Sequence, residues 1–258
     1  HVREETLDPL IEYLGDARIV GLGEATHGSA EFFKMKDKLF RALVTEKDFK
    51  AIIFEFPWGR GVVVDEFVTD GVGTADDALN QSYYWVYDTQ ETRDLANWMR
   101  NYNKDKPYED KIHFVSCDPQ GGHFEIEKSM ISEYLDEVSP ELKDSAYIKY
   151  FYLPKDLREY LDVPIEEKNL NRDNVDWVYK AIEERRESFV SQTGKYRYEV
   201  ILMAAHVIKH REFMYRKQLF GQTRDSLMAI YSEWWRDILG PDEKVAVWAH
   251  NLHVSNDQ

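Results

Sequence analysis

The sequence holds a single cysteine, Cys117, so no internal disulfide can form and no zinc site built on several thiolates is available. No apolar run approaches the roughly 20 residues needed to span a bilayer. The opening HVREETLDPL is too polar for a secretory signal, and the expected location is the cytoplasm with no membrane partner. A chain that opens on His1 rather than Met leaves upstream processing open. Basic charge is scarce as well: 33 Lys and Arg face 48 Asp and Glu over 258 residues, a net charge of −15. Nucleic-acid binding rests on cations that neutralise phosphates, so DNA and RNA are not expected partners, and an anionic lipid surface is disfavoured for the same reason.

Three catalytic signatures are missing too. No Gly-x-Ser-x-Gly elbow occurs, which argues against an α/β-hydrolase serine mechanism. Gly21-Leu22-Gly23-Glu24-Ala25-Thr26 opens like a dinucleotide fingerprint, but Thr26 stands where the third glycine belongs and Glu24 would meet the pyrophosphate with a carboxylate. His206 and His210 are spaced i, i+4, yet the Val-Ile-Lys between them lacks the glutamate of a zinc-protease helix, so a packing or surface role is expected. Cys117 ends a strand candidate and reads as a small core residue rather than a nucleophile.

What is present is a substantial apolar inventory, 43% hydrophobic and 14% aromatic residues. Four continuous runs read as strands buried on both faces: residues 18–22, 51–54, 112–116 and 245–249. Between the first two, Phe32, Phe33, Lys36, Leu39, Phe40, Leu43 and Val44 recur at helical spacing, which makes a βαβ unit. Asp88 or Thr89 can cap a second helix with Leu95, Trp98, Met99 and Tyr102 on one face. From residue 125 to 239 the pattern is helical and charge-rich, with segments at 169–191 and 196–219 joined by a Gly194 turn and a third at 222–238. The expected fold is α/β: a central, mainly parallel sheet flanked by helices, with a large helical insertion forming a lobe over the carboxyl ends of the strands. The expected organisation is an α/β core at 1–124, the insertion at 125–240, and a return strand at 241–258 in a chain that stops short of a complete domain.

In such sheets ligands gather at the carboxyl ends of the strands. The first run leads into Glu24-Ala25-Thr26-His27-Gly28-Ser29, the second into Glu55, the third into Asp118 and Gln120, and the fourth into His250-Asn251-Leu252-His253. Carboxylates beside imidazoles suit proton transfer, because a carboxylate holds one tautomer and raises the basicity of the ring. Taken singly, Glu55 is equally a solvated charge, His250 and His253 are polar strand ends, and Ser29 is a helix cap. The aromatic run Tyr83-Tyr84-Trp85-Val86-Tyr87 suits either a cleft for a bulky apolar substrate or core packing.

The stretch Ile19-Val20-Gly21-Leu22-Gly23-Glu24-Ala25-Thr26-His27-Gly28, with Glu31-Phe32-Phe33 and Lys36 after it, resembles the signature of the erythromycin esterase family. Phe54-Glu55, Glu91 within Thr89-Gln90-Glu91-Thr92, Arg224-Asp225 before Met228-Ala229, and Trp248-Ala249-His250-Asn251-Leu252-His253 follow in the family's order. The resemblance implies a hydrolase without metal or other cofactor that opens an ester or macrolide lactone, a small-molecule substrate, with activated water. It implies His27 as general base, Glu24, Glu55, His250 and His253 around it, and Lys36, Glu91 and Arg224 as substrate-binding positions. Family sequences continue past the second histidine, and some members carry names linked to polysaccharide biosynthesis. Two other readings use the same residues. His27, His250, His253 and Glu55 are sound ligands for zinc or manganese in a metal-dependent hydrolase, and a non-catalytic homologue would keep the cleft for a sugar or macrocycle. Oligomeric state is left unassigned.

Overall fold

The computed structural model describes residues 7–80, 85–121, 124–151, 153–154 and 157–255. In chain order the elements are α1 (Asp8–Leu14), β1 (Ile19–Glu24), α2 (Ala30–Lys47), β2 (Phe49–Pro57), α3 (Trp58–Asp70), α4 (Ala75–Leu79), α5 (Gln90–Asn103) and β3 (His113–Asp118). There follow α6 (Glu125–Val138), α7 (Pro140–Phe151), α8 (Leu157–Asp162), α9 (Ile165–Glu183), α10 (Arg186–Thr193), α11 (Lys195–Lys217), α12 (Gln222–Leu239), β4 (Lys244–His250) and α13 (Asn251–Val254). The chain forms two compact units, His1–Asp118 with Ala229–Gln258, and Pro119–Met228.

In the first unit the strands lie in the order β1-β4-β2-β3, and every pairing is parallel. β2 and β3 are buried almost throughout, which is why their sequences are continuous apolar runs rather than alternating ones. β4, from the far end of the sequence, lies between β1 and β2, with Glu24 in register with His250 and Phe54 with Trp248. Three neighbouring strands therefore end side by side, and each carries a chemically capable residue at or near its end: Glu24, His250 and Glu55.

α2 turns Phe33, Lys36, Leu39, Phe40, Leu43 and Val44 inward at steps of three and four. Each large apolar side chain in that stripe contributes about 1.5–3 kcal/mol by its burial. Lys36 is the single charge among them. The helix stops where Asp48 adopts a left-handed conformation, φ 60°, and closes its N–H on Leu43 O. Ser29 stands at the N-cap position, but its hydroxyl bonds Glu31 Oε2 rather than the helix backbone. Thr89 does cap α5, accepting from Thr92 N–H.

α13 packs against β1, and Gly23 leaves room for its side chains. A Cβ on Gly23 would stand 2.2 Å from Asn251 Oδ1 and 3.2 Å from Val254 Cγ2. Gly23→Ala is expected to lower stability by about 1–3 kcal/mol, read as a shift in the urea midpoint. It should also displace His253 on the same short helix.

The sequence places the helical insertion at 125–240, whereas the second unit is Pro119–Met228. The difference arises inside α12: Trp235 in its second half stacks on Trp58 at 5.9 Å, and its indole donates to Ser116 O. Those contacts tie that half of the helix to the sheet. Cys117 is fully buried within β3.

Within the second unit the helix expected at 169–191 is interrupted at Glu184 and Arg185, giving α9 and α10. Arg211, fully buried on α11, donates to Pro119 O and to Glu127 Oε1, and Tyr160 and Arg216 both hold the Glu212 carboxylate. The His206 and His210 rings lie 3.9 Å apart. Burial pushes the His206 pKa down to about 3, so this pair packs as neutral rings.

Candidate active site

β1 ends in Glu24, and the chain turns back at once through Ala25-Thr26-His27-Gly28, with Gly28 supplying a positive φ of 76°. The turn returns the His27 ring to the strand end, where Nδ1 lies 2.7 Å from Glu24 Oε1. The Glu24 side chain is fully enclosed, while that of His27 is one-third exposed. A carboxylate only accepts, so Nδ1 carries a proton, and in the neutral ring the lone pair then lies on Nε2. An imidazole in this state is oriented and ready to accept a proton.

The second Glu24 oxygen accepts from Lys36 Nζ at 2.8 Å. The same ammonium donates to Ala249 O at 3.3 Å and lies 4.8 Å from the centre of the Trp248 ring. Burial drives the Lys36 pKa down to about 8, against the opposing pull of Glu24 and Glu55. The resemblance makes Lys36 a substrate-binding position; here its ammonium is enclosed in the stripe of α2 and occupied by the protein's own groups.

Glu55, near the end of β2, holds β4 and α13. Its Oε2 accepts from the His250 backbone N–H at 2.8 Å, and its Oε1 lies 3.1 Å from His253 Nε2. Two glutamate–histidine pairs, Glu24–His27 and Glu55–His253, therefore rise from neighbouring parts of one sheet edge.

His250 stands between them with a different task. Its Nδ1 accepts from Leu252 N–H, capping α13, and its Nε2 lies 3.1 Å from Ala25 O. A nitrogen that accepts from an amide bears no proton, so Nε2 bears it and donates to the carbonyl. Both ring nitrogens are committed. His250 fastens β4 to the turn that carries His27, its ring 5.2 Å from the His27 ring.

Tyr87 closes the inner side. Its ring meets His27 edge-on at 6.1 Å and packs on Phe33, Phe54 and Phe56. Its buried hydroxyl has no hydrogen-bond partner among the described residues. Burial, then the charges of Glu55 and Glu24, hold its pKa well above the usual value, so it remains a proton-bearing phenol. Tyr83 and Tyr84 lie outside the described residues. Glu91 sits on the first turn of α5, 3.5 Å from Lys34, and Arg224 lies on the first turn of α12 in the second unit. Asp118 is fully buried at the end of β3. Among the described residues, no three His, Cys, Asp or Glu side chains are grouped to hold a metal ion. The residues that sequence reasoning passed over are backbone groups, Ala25 O, Ala249 O and Leu252 N–H, which have no side-chain signal to betray them.

The sequence model of the family described as Erythromycin esterase matches residues 44–258. The chain belongs to the erythromycin esterase family. An Escherichia coli relative named erythromycin esterase type II is 25% identical, over 95% of this chain and 62% of its own length. The Bacillus subtilis putative hydrolase YbfO is 22% identical, over 95% of this chain and 58% of its own. The chain thus spans about three fifths of the relatives it matches. A crystal structure of a succinoglycan biosynthesis protein superposes with a TM-score of 0.83 at 26% identity, covering 98% of this chain and 62% of that one. A mutant of the erythromycin esterase EreC in its open conformation superposes at 0.70 with 20% identity, covering 96% and 63%, and shares the fold. The family match includes Glu55, Glu91, Arg224, His250 and His253, while Glu24, His27 and Lys36 precede it.

Proposed function

We propose that the protein hydrolyses a small-molecule carboxylic ester or lactone with water activated by His27. One observation carries the reading: a one-third exposed imidazole whose Nδ1 is tied to an enclosed carboxylate, leaving Nε2 to take a proton. In this mechanism Nε2 removes a proton from water as the oxygen attacks the ester carbon, and the carbonyl pair moves onto oxygen. Collapse of the tetrahedral species breaks the bond to the alkoxide, which takes the proton back from the His27 imidazolium. Glu24 orients the ring and stabilises its transient charge. The enclosed position of Lys36 argues against a direct part in holding the oxyanion.

The metal-dependent alternative gains no support from the geometry, since both nitrogens of His250 are committed and, among the described residues, its neighbours do not group as ligands. Trp85 favours a bulky, apolar substrate. Its indole is 71% exposed, and a ring carbon lies 3.8 Å from where a Gly28 Cβ would stand, beside the turn that carries His27. The test is a panel of simple esters, lactones and macrolides assayed with and without chelator. Turnover that survives the chelator is expected, and Trp85→Ala should raise KM for the bulky members by about three- to tenfold with kcat little changed. Failure to turn over any member would remove the reading.

A further inference from the structure

We propose that Lys36 is a positioning residue that keeps His27 neutral by supplying the counter-charge of Glu24. The inference rests on His27 as base for its kinetic consequence, though not for its physical one. Glu24 is an enclosed carboxylate with two hydrogen-bond partners, one on each oxygen: His27 on Oε1 and Lys36 on Oε2. An enclosed anion needs a positive partner nearby. If Lys36 provides it, the imidazole can give its Nδ1 proton to the hydrogen bond and still hold no net charge. Without Lys36, the remaining group able to bring a positive charge to this carboxylate is His27. The ring would then keep a second proton on Nε2 and have no lone pair for water.

The groups that face Lys36 come from every element packed on it. β1 contributes Glu24, β2 the charge of Glu55, and β4 the Ala249 carbonyl and the Trp248 face. Tyr87 shares the field of both glutamates but stays protonated. Lys36 is therefore the cationic member of this interior cluster, and its place in an otherwise apolar helical stripe is explained by the carboxylate it meets. Because burial weakens its hold on the proton, with the pKa near 8, the counter-charge leaves under mildly alkaline conditions.

The direct test is an NMR titration of the His27 ring in the whole protein, which needs no substrate. Lys36→Met should raise the His27 pKa by about a unit or more, the size of effect expected when a neighbouring charge is removed, and Lys36→Arg should return it toward the wild-type value. In wild-type protein the His27 ring resonances should also show a second inflection near pH 8, where Lys36 discharges. That measurement serves if Lys36→Met does not fold. An unchanged or lowered His27 pKa in Lys36→Met, or a wild-type ring blind to pH near 8, overturns the proposal. If the ester panel is turned over, the acid limb of kcat/KM should move upward with the His27 pKa while KM holds. A shifted His27 titration with no esterase activity would sink the functional reading and leave this one standing.

Discussion

Replacing His27 with alanine is expected to cut kcat/KM by about 10²–10⁴-fold, the usual contribution of a general base, with the fold intact. The loss should fall on kcat. In the proposed mechanism His27 meets the reacting water rather than the body of the substrate, so its removal takes away an interaction made in the transition state and leaves ground-state binding alone. Structural damage should be slight because the ring is one-third exposed and, among the described residues, its ring contacts are the edge of Tyr87 and the tilted face of His250. Removing it does leave Glu24 with Lys36 as its single hydrogen-bonding partner, an already compensated pair. Unchanged circular dichroism and thermal midpoint beside a collapsed kcat would support the base. A protein that merely binds a sugar or macrocycle would show the same ligand affinity in both forms and no turnover in either.

Much of this arrangement is legible in the sequence, and the reason is geometric. A strand covered on both faces must be apolar throughout, so the four runs announce a buried sheet and the residues after them announce its carboxyl edge. Glu24, Glu55 and His250 come together because β4 lies between β1 and β2, a neighbour relation that residue patterns do not encode. The spacing of Glu24 and His27 is readable; that the turn brings Nδ1 onto the carboxylate depends on the backbone at Gly28. His250 illustrates the limit. Its residue type promises proton chemistry, whereas an amide on one nitrogen and a carbonyl on the other make it a fastener. Lys36 is the converse: a charge in an apolar stripe is visible at once, but only the placement of Glu24 tells whether it faces substrate or protein. The end of the helical insertion was hidden because α12 is a single uninterrupted helix whose two halves belong to different units.

The largest loss of stability should follow Glu24→Ala. Lys36 would remain as an enclosed cation whose carboxylate partner is gone, and breaking such a pair from one side typically removes about 3–5 kcal/mol. The pH dependence has a definite sign. Lys36 already binds its proton less tightly in the folded protein than in the unfolded chain, so its contribution to stability improves as pH rises from about 8 toward the ordinary lysine range. Without Glu24 the folded pKa falls further and the improvement begins at lower pH. The deficit of Glu24→Ala relative to wild type should therefore be widest at weakly acidic pH, where the Glu24 carboxylate is still ionised, narrow as pH approaches 8, and stay level above it. Urea midpoints across that interval measure it; a deficit that widened with pH would contradict a buried Lys36 paired to Glu24. Glu24→Gln separates stability from chemistry. The amide nearly preserves volume, but one of its two ends must present N–H groups. Facing Lys36, they meet a donor with donors. Facing His27, they force Nδ1 to accept, which puts the ring proton on Nε2 and removes the lone pair that water needs. The comparable exchange in a serine-protease triad lowers kcat about 10⁴-fold through the wrong tautomer. Glu24→Gln should accordingly be more stable than Glu24→Ala yet as inactive as His27→Ala, a combination expected only if the carboxylate acts by fixing the state of the histidine.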